Sequence, residues 1–174
     1  MRREKFSLEK VSKNPAVFDE QKLLWLNGHY LNALPIEDLQ KRVSADIPLE
    51  TIDLVRTRCH TLNAVIAQAK TLLEDPQEYD PKGLEKHGSP EVSTHLETLV
   101  KRLSNETTFD PDTLENTFKT LGEENQIKPA IYIHPCRLAL TGVTVGPSLY
   151  HLMAHLGKET CLRRLQAFIS RQVV

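Results

Sequence analysis

Histidine and cysteine are the residue types with which this chain could hold a metal ion or run nucleophilic chemistry. His151 and His155 stand four residues apart. On a helix that spacing puts both imidazoles on one face, within reach of one metal. No cysteine or carboxylate is spaced to complete the coordination. The same spacing suits two histidines on an amphipathic helix surface. The three cysteines, Cys59, Cys136 and Cys161, are odd in number and far apart, and they form no Cys-x-x-Cys pair. That argues against a zinc ribbon or a disulfide framework and fits reduced thiols in a cytosol. The sequence has no Gly-rich phosphate loop, dinucleotide fingerprint or Gly-x-Ser-x-Gly elbow.

A lysine pair offers other chemistry. Lys10-Val11-Ser12-Lys13-Asn14 resembles the Lys-Met-Ser-Lys-Ser loop that grips ATP phosphates in class I aminoacyl-tRNA synthetases. Two ammonium groups flanking a hydroxyl suit a polyphosphate. Such a loop needs a parallel sheet and an upstream His-Ile-Gly-His-like motif, and only nine residues precede Lys10. The rival expectation is a surface lysine pair ahead of the turn at Pro15.

The elements that must position any site read as helices. Asp19 can cap a helix carrying Leu23, Leu24, Leu26, Tyr30 and Leu31, which Asn27-Gly28 loosens or ends. Pro35 and Pro48 suit first turns. Leu49, Ile52, Val55 and Cys59 share one face at about 100° per residue. Arg56 falls at the margin of that stripe and Arg58 points toward solvent. A helix with Leu62, Val65, Ile66, Ala69, Leu72 and Leu73 follows. The acidic, two-proline stretch Glu74 to Pro81 reads as a linker. Ser89-Pro90-Glu91 and Asp110-Pro111-Asp112 each combine a cap, a first-turn proline and a dipole-favouring acid. Gly122 suits a C-terminal stop, and Ala130 to Ile133 could be a short strand by composition. Two more helices, over Leu149–Leu156 and Leu162–Ile169, close the chain. The class is all-α, in two consecutive helical subdomains, residues 1–75 and 76–174.

The chain is 40% hydrophobic with a net charge of −1, so it has no general basic excess. RNA contact would rest on local basic patches and be weak in the chain alone. No apolar run approaches the ~18 residues of a membrane span, and no signal-peptide pattern follows the charged start.

Three blocks in order carry a resemblance. Phe18, Asp19, Lys22, Leu23, Trp25, Asn27 and Tyr30 match the pattern that follows the catalytic domain in bacterial-type glutamyl-tRNA synthetases. Arg58-Cys-His-Thr-Leu62 is similar to that family's Arg-x-x-Thr-Leu junction. Arg137-Leu-Ala-Leu-Thr-Gly142, Gly146-Pro147, Leu156-Gly-Lys-Glu159 and Arg163/Arg164 resemble its C-terminal end, although His134 and Cys136 flank Pro135 differently from the pattern. The resemblance implies the anticodon-binding helical cage of such an enzyme, plus a connecting helical element. On this reading tRNA-Glu is the partner and the chain carries no active site or cofactor of its own. ATP and Mg²⁺ belong to a separate catalytic domain of the parent ligase, which is a second partner. The setting is the cytoplasm, and the chain is monomeric.

Anticodon bases are read by hydrogen bonds to their Watson–Crick edges and by stacking, and a guanidinium serves both. Arg58 is the first candidate for a base contact and Arg56 the second. Lys101, Arg102, Arg137, Arg163 and Arg164 are candidate phosphate contacts. Arg137 has pairing with an acid as its rival role. Trp25 and Tyr30 read as core, and Asn27 as a cap or brace at the junction with the catalytic domain. A helical protein-interaction module with no RNA role is the alternative that the neutral charge favours.

Overall fold

The computed structural model describes residues 17–172, and these form ten α-helices with no strand among them. Their starts follow the capping chemistry of the sequence. Asp19 accepts from the Lys22 N–H ahead of α1 (Glu20–Ala33), Thr61 from Ala64 ahead of α4 (Leu62–Leu73), and Ser89 from Val92 ahead of α6 (Pro90–Asn105). Asp110 caps α7 (Pro111–Glu124) twice, through the N–H groups of Asp112 and Thr113. Each bond satisfies a donor that the helix leaves unpaired. Pro35 and Pro48 stand one residue earlier than expected, at the caps of α2 (Ile36–Val43) and α3 (Leu49–Arg56).

Helices α2, α3 and α4 pack on one another. In the second half, α6 packs against α8 (Ala130–Thr141) and α10 (Lys158–Gln172), α5 (Pro81–His87) lies on α8, and α9 (Leu149–Leu156) bridges α7 and α10. The two halves meet where α4 touches α8 and α3 touches α9. One core cluster runs through both, from Leu39, Ile52 and Val65 to Leu96, Phe118 and Phe168.

The seam is also polar. Thr51 on α3, itself buried, shares a 3.0 Å hydrogen bond with His155 Nε2 on α9. Asp75, just past α4, accepts from Arg163 and Arg164 of α10. Gly142, at φ +76°, ends α8, and its carbonyl accepts the Asp80 N–H at 2.8 Å. A Cβ at Gly142 would meet the Glu78 carbonyl oxygen at 2.6 Å, so the linker backbone is pressed onto this turn.

Four local expectations are corrected. Ala130–Ile133 is helical, because α8 runs from Ala130 to Thr141 with Pro135 inside it, and buried Tyr132 packs against Phe118. Gly28 does not end α1, which continues to Ala33; His60 Nδ1 fills the space where a Cβ would stand. Gly122 lies inside α7, which stops at Glu124. Trp25 and Tyr30 are not core, since each is 64% exposed. The reason is that α1 buries only Gly28 and Leu31 and lies at the edge of the bundle. Helix α5 was not expected at all. No described helix is long and apolar enough to cross a membrane. The lysine pair Lys10–Asn14 lies outside the described residues.

Candidate nucleic-acid interface

The turn after α3 places Arg58 where the sequence periodicity puts it. Ile52, Val55 and Cys59 are buried while Arg58 is exposed. Its guanidinium has no hydrogen-bond or ion-pair partner among the described residues. Arg137 comes from the opposite half, on α8, and is half-buried. Its Nη1 donates to the Pro147 carbonyl at 2.6 Å. This ties α8 to the loop that leads into α9. Burial pulls the Arg137 pKa below its ordinary value, and the nearby Arg58 charge adds to the effect. Arginine still stays cationic at neutral pH.

Both arginines line one open cleft of about 430 Å³ at the seam of α4 and α8. That size falls in the ~300–1,000 Å³ range of small-ligand clefts. Gln68 of α4 and the loop from Thr144 to Ser148 complete its walls. The Gln68 Oε1 is buried and has no hydrogen-bond partner. A Cβ at Gly146 would lie 3.2 Å from Arg137 Nη1 and 3.6 Å from Gln68 Oε1. A side chain at Gly146 would therefore crowd Arg137 Nη1 and press on the buried Gln68 amide. The cleft thus offers two planar donor forks, with the Gln68 amide buried in its wall. Such forks match the acceptors on the edge of an unstacked base.

The other expected cations lie elsewhere. Arg56 is spent on α1 and α3: Nη1 donates to the Leu34 carbonyl at 3.3 Å and Nη2 pairs with Asp53 at 2.8 Å. Arg102 is placed beside Glu106 and Glu124, at 3.8 and 3.5 Å. Lys101 is exposed on α6, and neither it nor Arg102 lines the cleft. Arg163 is exposed but grips Asp75 with both terminal nitrogens. For Arg164 a phosphate contact is ruled out by burial, since it is 3% exposed. It donates to Asp75 Oδ1 and to the carbonyls of Thr71, Leu72 and Leu140. It closes the ends of α4 and α8 from within.

Sequence reasoning missed Gln68 and Gly146. Gln68 lies ten residues after Arg58 and carries no motif. Gly146 entered only as part of the Gly146-Pro147 pair in the C-terminal resemblance, with no role of its own.

The histidine pair on α9 diverges. His155 is turned to Thr51, and His151 Nδ1 lies 3.2 Å from Ser148 Oγ. Among the described residues no group of three or more His, Cys, Asp or Glu is placed to hold a metal ion. All three thiols are buried. Burial raises their pKa values, that of Cys161 to about 12, which keeps them protonated and unreactive.

The family model described as an anticodon binding domain matches residues 20–169. Similar curated proteins include glutamate–tRNA ligase 1 of Syntrophomonas wolfei, 38% identical over 92% of this chain and 35% of that protein. Glutamate–tRNA ligase 2 of Caldicellulosiruptor saccharolyticus is 37% identical over 94% of this chain and 37% of that protein. Among solved structures, a glutamate–tRNA ligase from Elizabethkingia meningosepticum superposes with a TM-score of 0.78 at 26% identity, over 95% of this chain and 35% of that one. The chain spans about a third of the length of the relatives it matches.

Proposed function

This chain belongs to the anticodon-binding domain family, and on that premise we propose that its seam cleft reads anticodon bases of tRNA-Glu for a ligase that attaches glutamate to that tRNA with ATP. The carrying observation is the convergence of Arg58 and Arg137, from opposite halves of the fold, on one solvent-open cleft. Arg58 is free to close on a base edge. Arg137, pre-set by the Pro147 carbonyl, needs little ordering when the RNA arrives. Lys101, exposed outside the cleft, is left to phosphate contacts that position without reading sequence.

Glutamate activation belongs to the catalytic domain of such a ligase, which would supply the ATP and Mg²⁺ sites. The exposed side chains of α1 support docking of that domain here. Phe18, Leu23, Trp25 and Tyr30 are each half or more exposed. Meanwhile the Asn27 side chain donates to the His60 carbonyl and holds α1 to the body. The chain acts as a monomer in the cytoplasm.

The test is a shift assay with tRNA-Glu and a second tRNA across a salt series. Preference for tRNA-Glu with a steep salt slope is the expected result. Equal, negligible binding of both at low salt would leave the cleft without RNA and favour a protein-interaction module. Glutamate-dependent ATP–pyrophosphate exchange by this chain alone would overturn the division of labour.

A further inference from the structure

The arginine cleft does not end at His134. A second hollow of about 500 Å³ continues from it, sharing His134 and Thr144 as walls. Its far side is α5. Gly83 lets α5 come close, since a Cβ there would stand 2.9 Å from both Leu138 Cδ1 and Thr144 Cγ2. That approach presents Lys82 and Lys86, one helical turn apart and both exposed, along the rim. It also lays the His87 ring on that of His134, with centroids 5.6 Å apart and planes 13° from parallel. Among the described residues Asp80 is the one acid lining the hollow.

We infer that this shelf is a second RNA subsite, in which Lys82 and Lys86 hold the phosphodiester and His134 with His87 the base of the strand segment leaving the arginine cleft. The inference rests on the anticodon reading proposed above and extends it. Flat rings accept a base by stacking whatever its identity, and ammonium groups track the backbone. The continuity of the two hollows favours a polymer over a free anion, because one strand can follow Arg58, Arg137, His134 and the lysines in turn.

Protonation supports the same placement. Burial holds the His87 pKa below its ordinary value, helped by His134 and then Lys86. The groups facing it are Lys82, Lys86 and Asp80 from α5 and its cap, and His134 from α8. A phosphate entering among them favours the imidazolium. Binding then takes up a proton, and affinity rises as pH falls.

The experiment measures anisotropy of a hairpin RNA carrying the tRNA-Glu anticodon loop, titrated with the full chain. Lys82→Ala with Lys86→Ala lowers affinity about tenfold at low salt and reduces the salt slope by about 0.7 per lysine. His134→Ala lowers affinity about fivefold, and His87→Ala flattens the gain between pH 8 and pH 6. A hairpin with neutral methylphosphonates just outside the anticodon loses affinity to the wild type, while the lysine variant loses nothing further. The lysines are exposed, so their removal leaves the fold intact and the result readable. If the lysine and histidine variants bind like wild type while Arg58→Ala weakens binding, the shelf is not a subsite and the cleft reading survives. If the wild type is indifferent to anticodon sequence, the cleft reading falls and takes the shelf with it.

Discussion

Arg58 and Arg137, 79 positions apart in the sequence, line the same cleft, and the charge of Arg58 helps to depress the pKa of Arg137. Two cations placed together without an acid of their own are unfavourable to one another, and an RNA strand relieves that. Arg58→Ala is therefore expected to weaken tRNA-Glu binding by about 1–3 kcal/mol and to relax anticodon preference. Titration of tRNA-Glu and of an anticodon-altered copy checks both. Unchanged affinity and preference remove Arg58 from the site.

Gly146 makes a steric prediction with no charge in it. Its φ lies outside the left-handed region, and a Cβ there would crowd Arg137 Nη1 at 3.2 Å on the cleft wall. Gly146→Leu should fill the cleft and cut tRNA affinity by at least about tenfold, a cost of about 1.4 kcal/mol. The melting temperature should fall by no more than a few degrees, because Gly146 lies outside the core and the crowded atom is the end of a flexible arginine side chain. A variant that binds normally would mean the base does not enter here.

Much of this was readable from the residues alone. Caps at Asp19, Ser89 and Asp110 mark helix starts because their donors and acceptors lie within a few positions. The exposure of Arg58 followed from the Ile52–Val55–Cys59 stripe for the same local reason. What stayed hidden depends on distant partners. Arg164 looks like a surface cation on α10 until Asp75 and the ends of α4 and α8 close around it. Trp25 and Tyr30 look like core until α1 is found at the bundle's edge. The 130–133 run favours a strand by composition, and burial of Tyr132 among helices overrides that preference.

Arg164 is expected to matter for folding and not for RNA. Its Nε, Nη1 and Nη2 together satisfy Asp75 and three backbone carbonyls. Arg164→Met keeps the stem and strands those acceptors, at a cost of about 3 kcal/mol. Urea unfolding should show the midpoint falling with the slope unchanged. A stability equal to wild type would show that water replaces the guanidinium without loss.

Gly142 should tolerate no side chain. It combines φ +76° with a Cβ position 2.6 Å from the Glu78 carbonyl oxygen, a backbone atom that cannot rotate aside. Gly142→Ala is expected to destabilise by about 1–3 kcal/mol, through left-handed strain and displacement of the linker. Hydrogen exchange should localise the damage to the Asp80 amide, whose partner is the Gly142 carbonyl. Full protection of that amide in the variant would contradict the packing.

The clamp at Asp75 gives stability a pH dependence of known sign. Hydrogen bonding to Arg163 chiefly, with Arg164 adding to it, holds the Asp75 carboxyl below its ordinary value of 3.8. The unfolded chain then takes up this proton at a higher pH than the folded one. The contribution is therefore fully present above the ordinary carboxylate value and is lost as pH falls through the folded value. Because the Asp75 side chain is 42% exposed, solvent screening keeps the effect modest. Asp75→Asn should be less stable than wild type at pH 7, and the gap should narrow below about pH 4 as the wild-type carboxyl is protonated. Urea midpoints of both proteins from pH 7 to pH 2 decide it. A gap that is constant with pH would mean that Arg163 and Arg164 hold the linker by geometry alone and not by charge.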